Sequence, residues 1–465
     1  MPQPDQPFFI SQLSINQLSI NQLSITNYQL PITNYQLPII NQAKTKPMKS
    51  KVHSIVVIFL FIATTFTVTG NPKISQWRGP QRDGKYPETG LMKVWPAQGP
   101  EMVWLFEGLG AGQSSPVIAG NFVYVTGIPD TITGEAFLFK LDLQGNQVWK
   151  KGYGRDFTEL FPGARSTPTV VDDLVYVENG TGKIHCFNTE TGAEVWSADF
   201  FTDFQADSVQ FGYSESPLIH GDILYCTPGG KTHNMVALNR FTGEKIWASP
   251  GYGEKATYSS PIWFEHNGHP MVVNLTATSI IGLDARTGEM YWRIHQFQDN
   301  FIHANTPIYH DGKLLVSSAS RRDSSGLVLL ALSPDGRKAE LVWRNKQVIN
   351  LMGGMVLQDG HVYIPAYLQA RWHCIDFKTG EIKYTNKDLG GGAVIMADGL
   401  YYAYTEREGE MALLQQTPEE FRIISKFTVP HGTMEHWAHP VIGEGMLLVR
   451  HGNAMMAYDI REKRD

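Results

Sequence analysis

Eight aromatic residues, Trp104, Trp149, Trp196, Trp247, Trp292, Trp343, Tyr384 and Phe427, follow one another at intervals of 45, 47, 51, 45, 51, 41 and 43 residues. A period of this length marks one supersecondary unit used repeatedly, since a single unit cannot bury its apolar face without stacked neighbours. Four intervals also carry a tag in which Asp or Asn precedes Gly by four residues and the aromatic by eight: Asn188 to Trp196, Asn239 to Trp247, Asp284 to Trp292, and Asp376 to Tyr384. The tag predicts a hairpin. Asp or Asn bonds its own backbone two residues on, Gly takes a positive φ, and the returning strand ends in the aromatic. Asp142-Leu-Gln-Gly145 before Trp149 is a shortened copy, and Ser333-Pro-Asp-Gly336 before Trp343 a lengthened one.

Upstream of each tag lies a second turn between β-rich runs: Gly120-Asn121, Asp172-Asp173, Gly221-Asp222, Asn267-Gly268, Asp311-Gly312, Asp359-Gly360, Asp398-Gly399 and Glu444-Gly445. Their flanks, such as Val123-Tyr-Val125 and Val362-Tyr-Ile364, alternate with the strand period. Two hairpins per unit give a four-stranded antiparallel sheet, and eight such sheets arranged radially leave only short, protected edges. The expected fold is therefore all-β, an eight-bladed β-propeller. The last unit, His439 to Asp459, lacks a fourth strand, whereas Glu101-Met-Val-Trp104 has no partner of its own. Pairing these two would close the ring.

The Asp-x-x-Thr-Gly-x-x-x-Trp tag resembles the tryptophan-docking repeat of the pyrroloquinoline-quinone (PQQ) propeller superfamily over roughly residues 100 to 460. The resemblance implies that each aromatic docks on the neighbouring blade, against a small residue two positions before the Asp. Those positions hold Cys186, Ala237, Gly282, Ala331, Cys374 and Ala457. Two of the three cysteines are thus expected as small packing residues, and the third, Cys226, falls on a predicted second strand. An odd count without Cys-x-x-Cys argues against a disulfide framework and a zinc site.

Residues 1–47 repeat Gln-Leu-Ser-Ile-Asn and Asn-Tyr-Gln-Leu-Pro-Ile, with no charge between Asp5 and Lys44. A tract this polar cannot offset its ordering entropy, and reads as disorder or as translation upstream of the true start. Met48-Lys-Ser-Lys51 and the apolar run Ile55 to Val68 have the layout of a signal peptide over 48–70. Export to the periplasm or the extracellular space is expected. If residues 1–47 are translated, the same run would serve as a membrane anchor; otherwise the mature form has no span. No Cys follows the run, which sets the chain apart from the lipoprotein propellers of the BamB kind. A leader, residues 71–100, precedes the propeller, 101–461. Its Gln76-Trp77-Arg78-Gly79-Pro80 segment resembles that of exported bacterial PQQ-like propeller proteins, and is expected to pack as a strap anchored by Trp77 and Trp95, with Arg78 in a local ion pair, or to act as a lid.

Loops entering the first strand of every blade converge on one face of the central channel. Arg165, Glu215, Tyr258, His303, Asn305, His436 and Trp437 lie in these loops and would form a polar, partly aromatic funnel for a small ligand or a peptide. A quinone enzyme would further need a hard cation, a base and a clamp on the cofactor plane. Glu215 and Asn305 are possible oxygen ligands for Ca²⁺, but no acidic base stands in a matching position and no adjacent cysteine pair is present. Glu435-His436-x-x-His439 has a metal-like spacing, yet on a strand residues three apart face opposite sides. The net charge of −6 and the lack of a basic cluster disfavour nucleic acid. The sequence thus favours a monomeric, non-catalytic binding or assembly platform without cofactor, acting on a protein or small-molecule ligand. The alternative is an alcohol or sugar dehydrogenase using PQQ with Ca²⁺.

Overall fold

A computed structural model describes residues 74–295, 302–318, 326–366 and 370–463. The expected signal peptide and the tract before it lie outside these residues. Eight four-stranded antiparallel sheets form the blades of a propeller. The first comprises Val117–Ala119, Phe122–Gly127, Glu135–Asp142 and Gln147–Arg155, and the next six repeat that order along the chain. The eighth takes Val441–Gly443, Met446–His451 and Ala454–Asp459 from the C-terminal end and its outermost strand, Glu101–Glu107, from the N-terminal side. Leu105 pairs with Met456 and Glu107 with Ala454. The core lies between neighbouring sheets, and one cluster joins Val123, Val125 and Leu141 of the first blade to Leu448, Met455 and Ala457 of the eighth.

All eight turns between first and second strands are of the kind the sequence indicates. Their leading residues, from Gly120 (φ 57°) through Asp172 (55°), Asn267 (48°) and Asp359 (48°) to Glu444 (55°), are left-handed. Such turns match the right-handed twist of the flanking strands, which is why Gly, Asn and Asp dominate there.

The recurring indoles sit between two blades. Trp104, Trp149, Trp196, Trp247, Trp292 and Trp343 donate from Nε1 to backbone carbonyls of Leu143, Thr189, Arg240, Ala285, Gly336 and Phe377, each in the tag turn of the following blade. The bond from Trp104 joins the eighth blade to the first. Turn glycines lie flat against these rings: a Cβ on Gly288 would stand 2.4 Å from Trp247, and one on Gly243 2.6 Å from Trp196. The small residues two positions before the Asp act differently from expectation. Cys186, Ala237, Gly282, Cys374 and Ala457 pair with the aromatic of their own sheet, so they form its floor rather than a neighbour's dock. Ala331 does not, because the longer tag of the fifth blade puts Leu329 opposite Trp343.

In seven sheets the residue just before the aromatic is an unpaired bulge: Val103, Val148, Val195, Ile246, Tyr291, Val342 and Lys383 are each skipped by the register. A bulge twists the outer strand and blunts an edge that could otherwise pair with another chain. In the seventh sheet the bulge falls at Ile424, so Ser425, not Phe427, holds the position of the indoles. The leader fills the gap. Trp95 donates its backbone N–H to Ser425 Oγ and packs against Tyr402 and Phe427, while Gly99 closes over the Phe427 ring.

The described residues include one short helix, Phe200–Phe204, capped by Asp199, whose carboxylate accepts from the N–H groups of Phe201 and Thr202. No helix among them is long and apolar enough to cross a membrane. All three cysteines are free and buried.

Candidate functional site

The central channel has two mouths, one formed by the loops that enter the first strands and one by the turns that leave them. The leader crosses the second. Ile74–Ser75 pairs antiparallel with Val170 and Val171 of the second blade, and Lys85–Tyr86 pairs parallel with Met396 and Ala397 of the seventh. Between these anchors the chain sends Trp77, Arg78 and Arg82 inward. Trp77 donates to Thr306 Oγ1 at 2.9 Å and packs on the His439 ring. Arg78 bonds the carbonyls of Met355 (2.6 Å) and Val394 (3.2 Å) and faces His439 Nδ1 at 3.0 Å. Arg82 bonds those of Ser216 (2.6 Å) and Pro217 (3.0 Å). Thus Arg78 is not in the expected ion pair; it donates to backbone carbonyls of the sixth and seventh blades. Both arginines are buried and both adopt left-handed backbone, at φ 59° and 58°. Burial lowers the Arg78 guanidinium to about 10 and Arg82 to about 9.

At the entry mouth the predicted residues separate into three groups. Arg165, Tyr258 and Trp437 come together. The Arg165 guanidinium bonds the carbonyls of Leu160, Phe161 and Phe211, and Tyr258 Oη accepts the N–H of Phe211 at 3.2 Å. Two loops, one entering the second blade and one the third, are clamped in this way. Asp156 secures the first from below, accepting the N–H groups of Phe157 (2.7 Å) and Gly180 (2.5 Å), and burial raises its carboxyl to about 6. The clamped loops present a run of rings: Trp437 to Phe161 at 5.2 Å, Phe161 to Phe211 at 6.4 Å and Phe211 to Tyr258 at 6.0 Å. Phe161 is 47% exposed, Leu160 48% and Met434 38%. Apolar groups this exposed, held by polar side chains turned inward, suit contact with another molecule. Phe161 and Phe211 escaped the sequence reading because they sit in loops with no counterpart in other units; the sequence Phe161-Pro-Gly163, an aromatic at a turn four residues before Arg165, was the available signal.

His436 stands beside this run. Its Nδ1 meets Tyr404 Oη, its ring stacks on His451 at 3.8 Å, and burial lowers it to about 4. It lines a small cleft with Trp437, Asn350 and Glu406, whose carboxyl burial pushes up to about 7. The imidazole of His439 turns instead to Arg78 and to the Met352 carbonyl, so the two histidines do not face a common point.

The remaining three are structural. His303 is fully buried, its backbone pinned to Thr257 Oγ1, and burial lowers its imidazole to about 3. Asn305 donates to the Asn350 carbonyl and accepts from the Gly354 N–H, both at 2.9 Å, tying the fifth blade to the sixth. Glu215 accepts from the Thr227 N–H (3.1 Å) and Asn274 Nδ2 (3.0 Å), and burial raises its carboxyl to about 8. Beside it burial pushes Glu178 well up, with the Glu215 charge adding to the shift.

These partners test the quinone reading directly. Glu215 and Asn305, the two candidate oxygen ligands, are already committed to protein partners: Glu215 to Thr227 and Asn274, and the Asn305 side-chain oxygen to the Gly354 N–H. Among the described residues no group of three or more His, Cys, Asp or Glu is placed to hold a metal ion. The donor set does not fit PQQ with Ca²⁺.

Comparison with known proteins agrees with the architecture. The chain is similar to the outer membrane protein assembly factor BamB of Shewanella oneidensis, with 23% identity over 54% of this chain and 60% of that protein. It is also similar to a tetrathionate hydrolase of Acidithiobacillus ferrooxidans, at 24% identity over 29% of each. The chain thus spans less than two thirds of the length of either relative. Among solved structures, BamB from Moraxella catarrhalis aligns with a TM-score of 0.56 at 15% identity, covering 77% of this chain and 99% of that one. A quinohemoprotein alcohol dehydrogenase from Comamonas testosteroni aligns with a TM-score of 0.56 at 12% identity, covering 78% and 77%. At such identities the structures share the fold alone. A family model described as outer membrane protein assembly factor BamB matches residues 135–386, more than half of the chain, and the protein belongs to that family.

Proposed function

We propose that this protein is an exported, non-catalytic propeller of the cell envelope that binds a protein partner at its entry mouth. The observation that carries the reading is the continuous run of Trp437, Phe161, Phe211 and Tyr258 across loops of four blades, fixed in advance by Arg165. Aromatic anchors held rigid before contact lose little side-chain entropy on binding, and this is where interface energy concentrates. Membership of a family named for outer membrane protein assembly supports an envelope location and a protein partner. In this reading residues 48–70 are the signal peptide, 71–100 the leader and 101–461 the propeller.

A photo-crosslinking residue at position 161 tests it in the native envelope. One adduct is expected, and Phe161→Ala combined with Trp437→Ala should release that partner from the unlabelled protein in co-purification. Equal capture by the double variant would overturn the proposal. The dehydrogenase reading is separated by adding PQQ with Ca²⁺ to purified protein. A ligand at a hundredfold excess over its Kd would add about 2.7 kcal/mol of stability, whereas no shift in melting and no dye reduction with alcohols or sugars are expected here.

A further inference from the structure

The leader does not fill the turn-side mouth completely. Between its Gln81–Lys85 stretch and the inner strands of the fourth, fifth and sixth blades lies a cavity of about 420 Å³. That is within the range of small-molecule sites, roughly 300 to 1,000 Å³. Two rings border it, each held in a fixed orientation. Trp263 stacks on His220 at 3.3 Å, nearly parallel at 12°, and Tyr309 stacks on Phe264 at 3.9 Å and 9°, with its hydroxyl bonded to His266 Nδ1. Neither ring is fully buried.

Residues with planar polar side chains line the same space. Gln81, Gln358 and Asp359 line the cavity, and their side chains make no hydrogen bond or ion pair with another described residue. Asp83 uses only Oδ1, which accepts the Lys85 N–H at 3.0 Å. Aromatic faces carry partial negative charge and attract polarised C–H groups. An amide offers a donor beside an acceptor and a carboxylate two acceptors, each pair at about the spacing of vicinal hydroxyls. A pyranose ring presents both features, a C–H face and an equatorial rim of hydroxyls. We infer that this cavity is a saccharide-binding site, taking a short neutral oligosaccharide with a sugar ring against Trp263 or Tyr309 and its hydroxyls on Gln81, Asp83, Gln358 and Asp359. The site lies on the face opposite the entry mouth and does not depend on the partner reading.

Isothermal calorimetry of the full-length protein with cellotetraose, maltotetraose and the tetramer of N-acetylglucosamine tests this. At least one should bind with a Kd of roughly millimolar or tighter. Trp263→Ala should weaken that binding at least tenfold. The combination of Gln358→Ala with Asp359→Asn, which keeps the left-handed turn at 359 accessible, should do the same without changing the melting temperature. Trp437→Ala, on the other mouth, should leave it untouched. The inference is overturned if none of the three sugars binds at about 10 mM, or if binding survives both cavity variants.

Discussion

The two mouths of the channel use the same chemistry to opposite ends. On the turn side, Arg78 and Arg82 reach from the leader to carbonyls of inner strands, and the ring of Trp77 is drawn against Thr306 and His439 with them. On the entry side, Arg165 bonds carbonyls of the loops, and the ring of Phe161 is left about half exposed. A guanidinium that bonds several backbone acceptors is worth more than a neutral donor in either place. What differs is where the acceptors lie. Arg78 and Arg82 reach out of their own segment to the blades and draw it in; Arg165 bonds carbonyls of its own loop and of the next, and ties the two loops together. The difference separates a mouth crossed by a strap from one that presents an exposed ring, and substitutions can test it.

The ring wall sets the scale. Trp247→Ala removes an indole that fills the space between two blades and bonds the Ala285 carbonyl, and should cost ~3 to 5 kcal/mol in denaturant unfolding. A smaller effect than at either mouth would mean that the blades are not held together chiefly by these rings. Next comes the turn-side mouth. Arg78→Ala orphans two buried carbonyls and should cost ~3 kcal/mol. Because Arg78 is at φ 59°, Arg78→Gly loses the same bonds but relieves the backbone, and should be less destabilised than the alanine variant by about 1 kcal/mol. Equal losses would show that the left-handed conformation stores no strain.

The repeat made the ring legible. Eight turn pairs and a periodic aromatic suffice because a blade's geometry is local: the turn chemistry fixes each hairpin, and the indole needs only the next hairpin along. Phe427 shows the limit. It keeps the interval but not the register, since a bulge at Ile424 shifts the strand and Trp95 from the leader occupies the place. Non-repeating segments have no such template. Nothing in Gln76–Gly84 says that its arginines will meet carbonyls 134 to 316 residues away, and nothing distinguishes Asn305, used between blades, from a residue facing solvent. Side-chain type pointed to the entry loops, yet the run of rings there includes Phe161 and Phe211, which the polar pattern did not.

The wall between the mouths should respond to pH. Burial raises Glu215 from 4.5 to about 8 and pushes Glu178 well up, so between those values the folded state holds protons that the unfolded chain has released. Stability from this pair is therefore intact at low pH and declines as pH climbs from about 4.5 toward 8. The buried histidines act in the other direction. His303 and His439 are lowered to about 3, so the unfolded chain takes up protons first and stability declines as pH falls below 6.5. Glu215→Gln should flatten the alkaline limb only, gaining roughly 1 kcal/mol or more at pH 8 relative to its effect at pH 5. Calorimetric melting across that range, with an unchanged acid limb, is the expected signature; a parallel shift at every pH would remove Glu215 from the titrating set.

The smallest effect is the one that most cleanly divides the mouths. Phe161 is about half exposed, and its backbone, not its ring, is what Arg165 holds. Phe161→Ala should thus change the unfolding free energy by less than about 0.5 kcal/mol, as surface substitutions do. Partner capture should nonetheless fall, because an exposed ring contributes its burial only in the complex. A loss of 2 kcal/mol or more in the isolated protein would mean that the ring is already serving the fold and is not held ready for a partner.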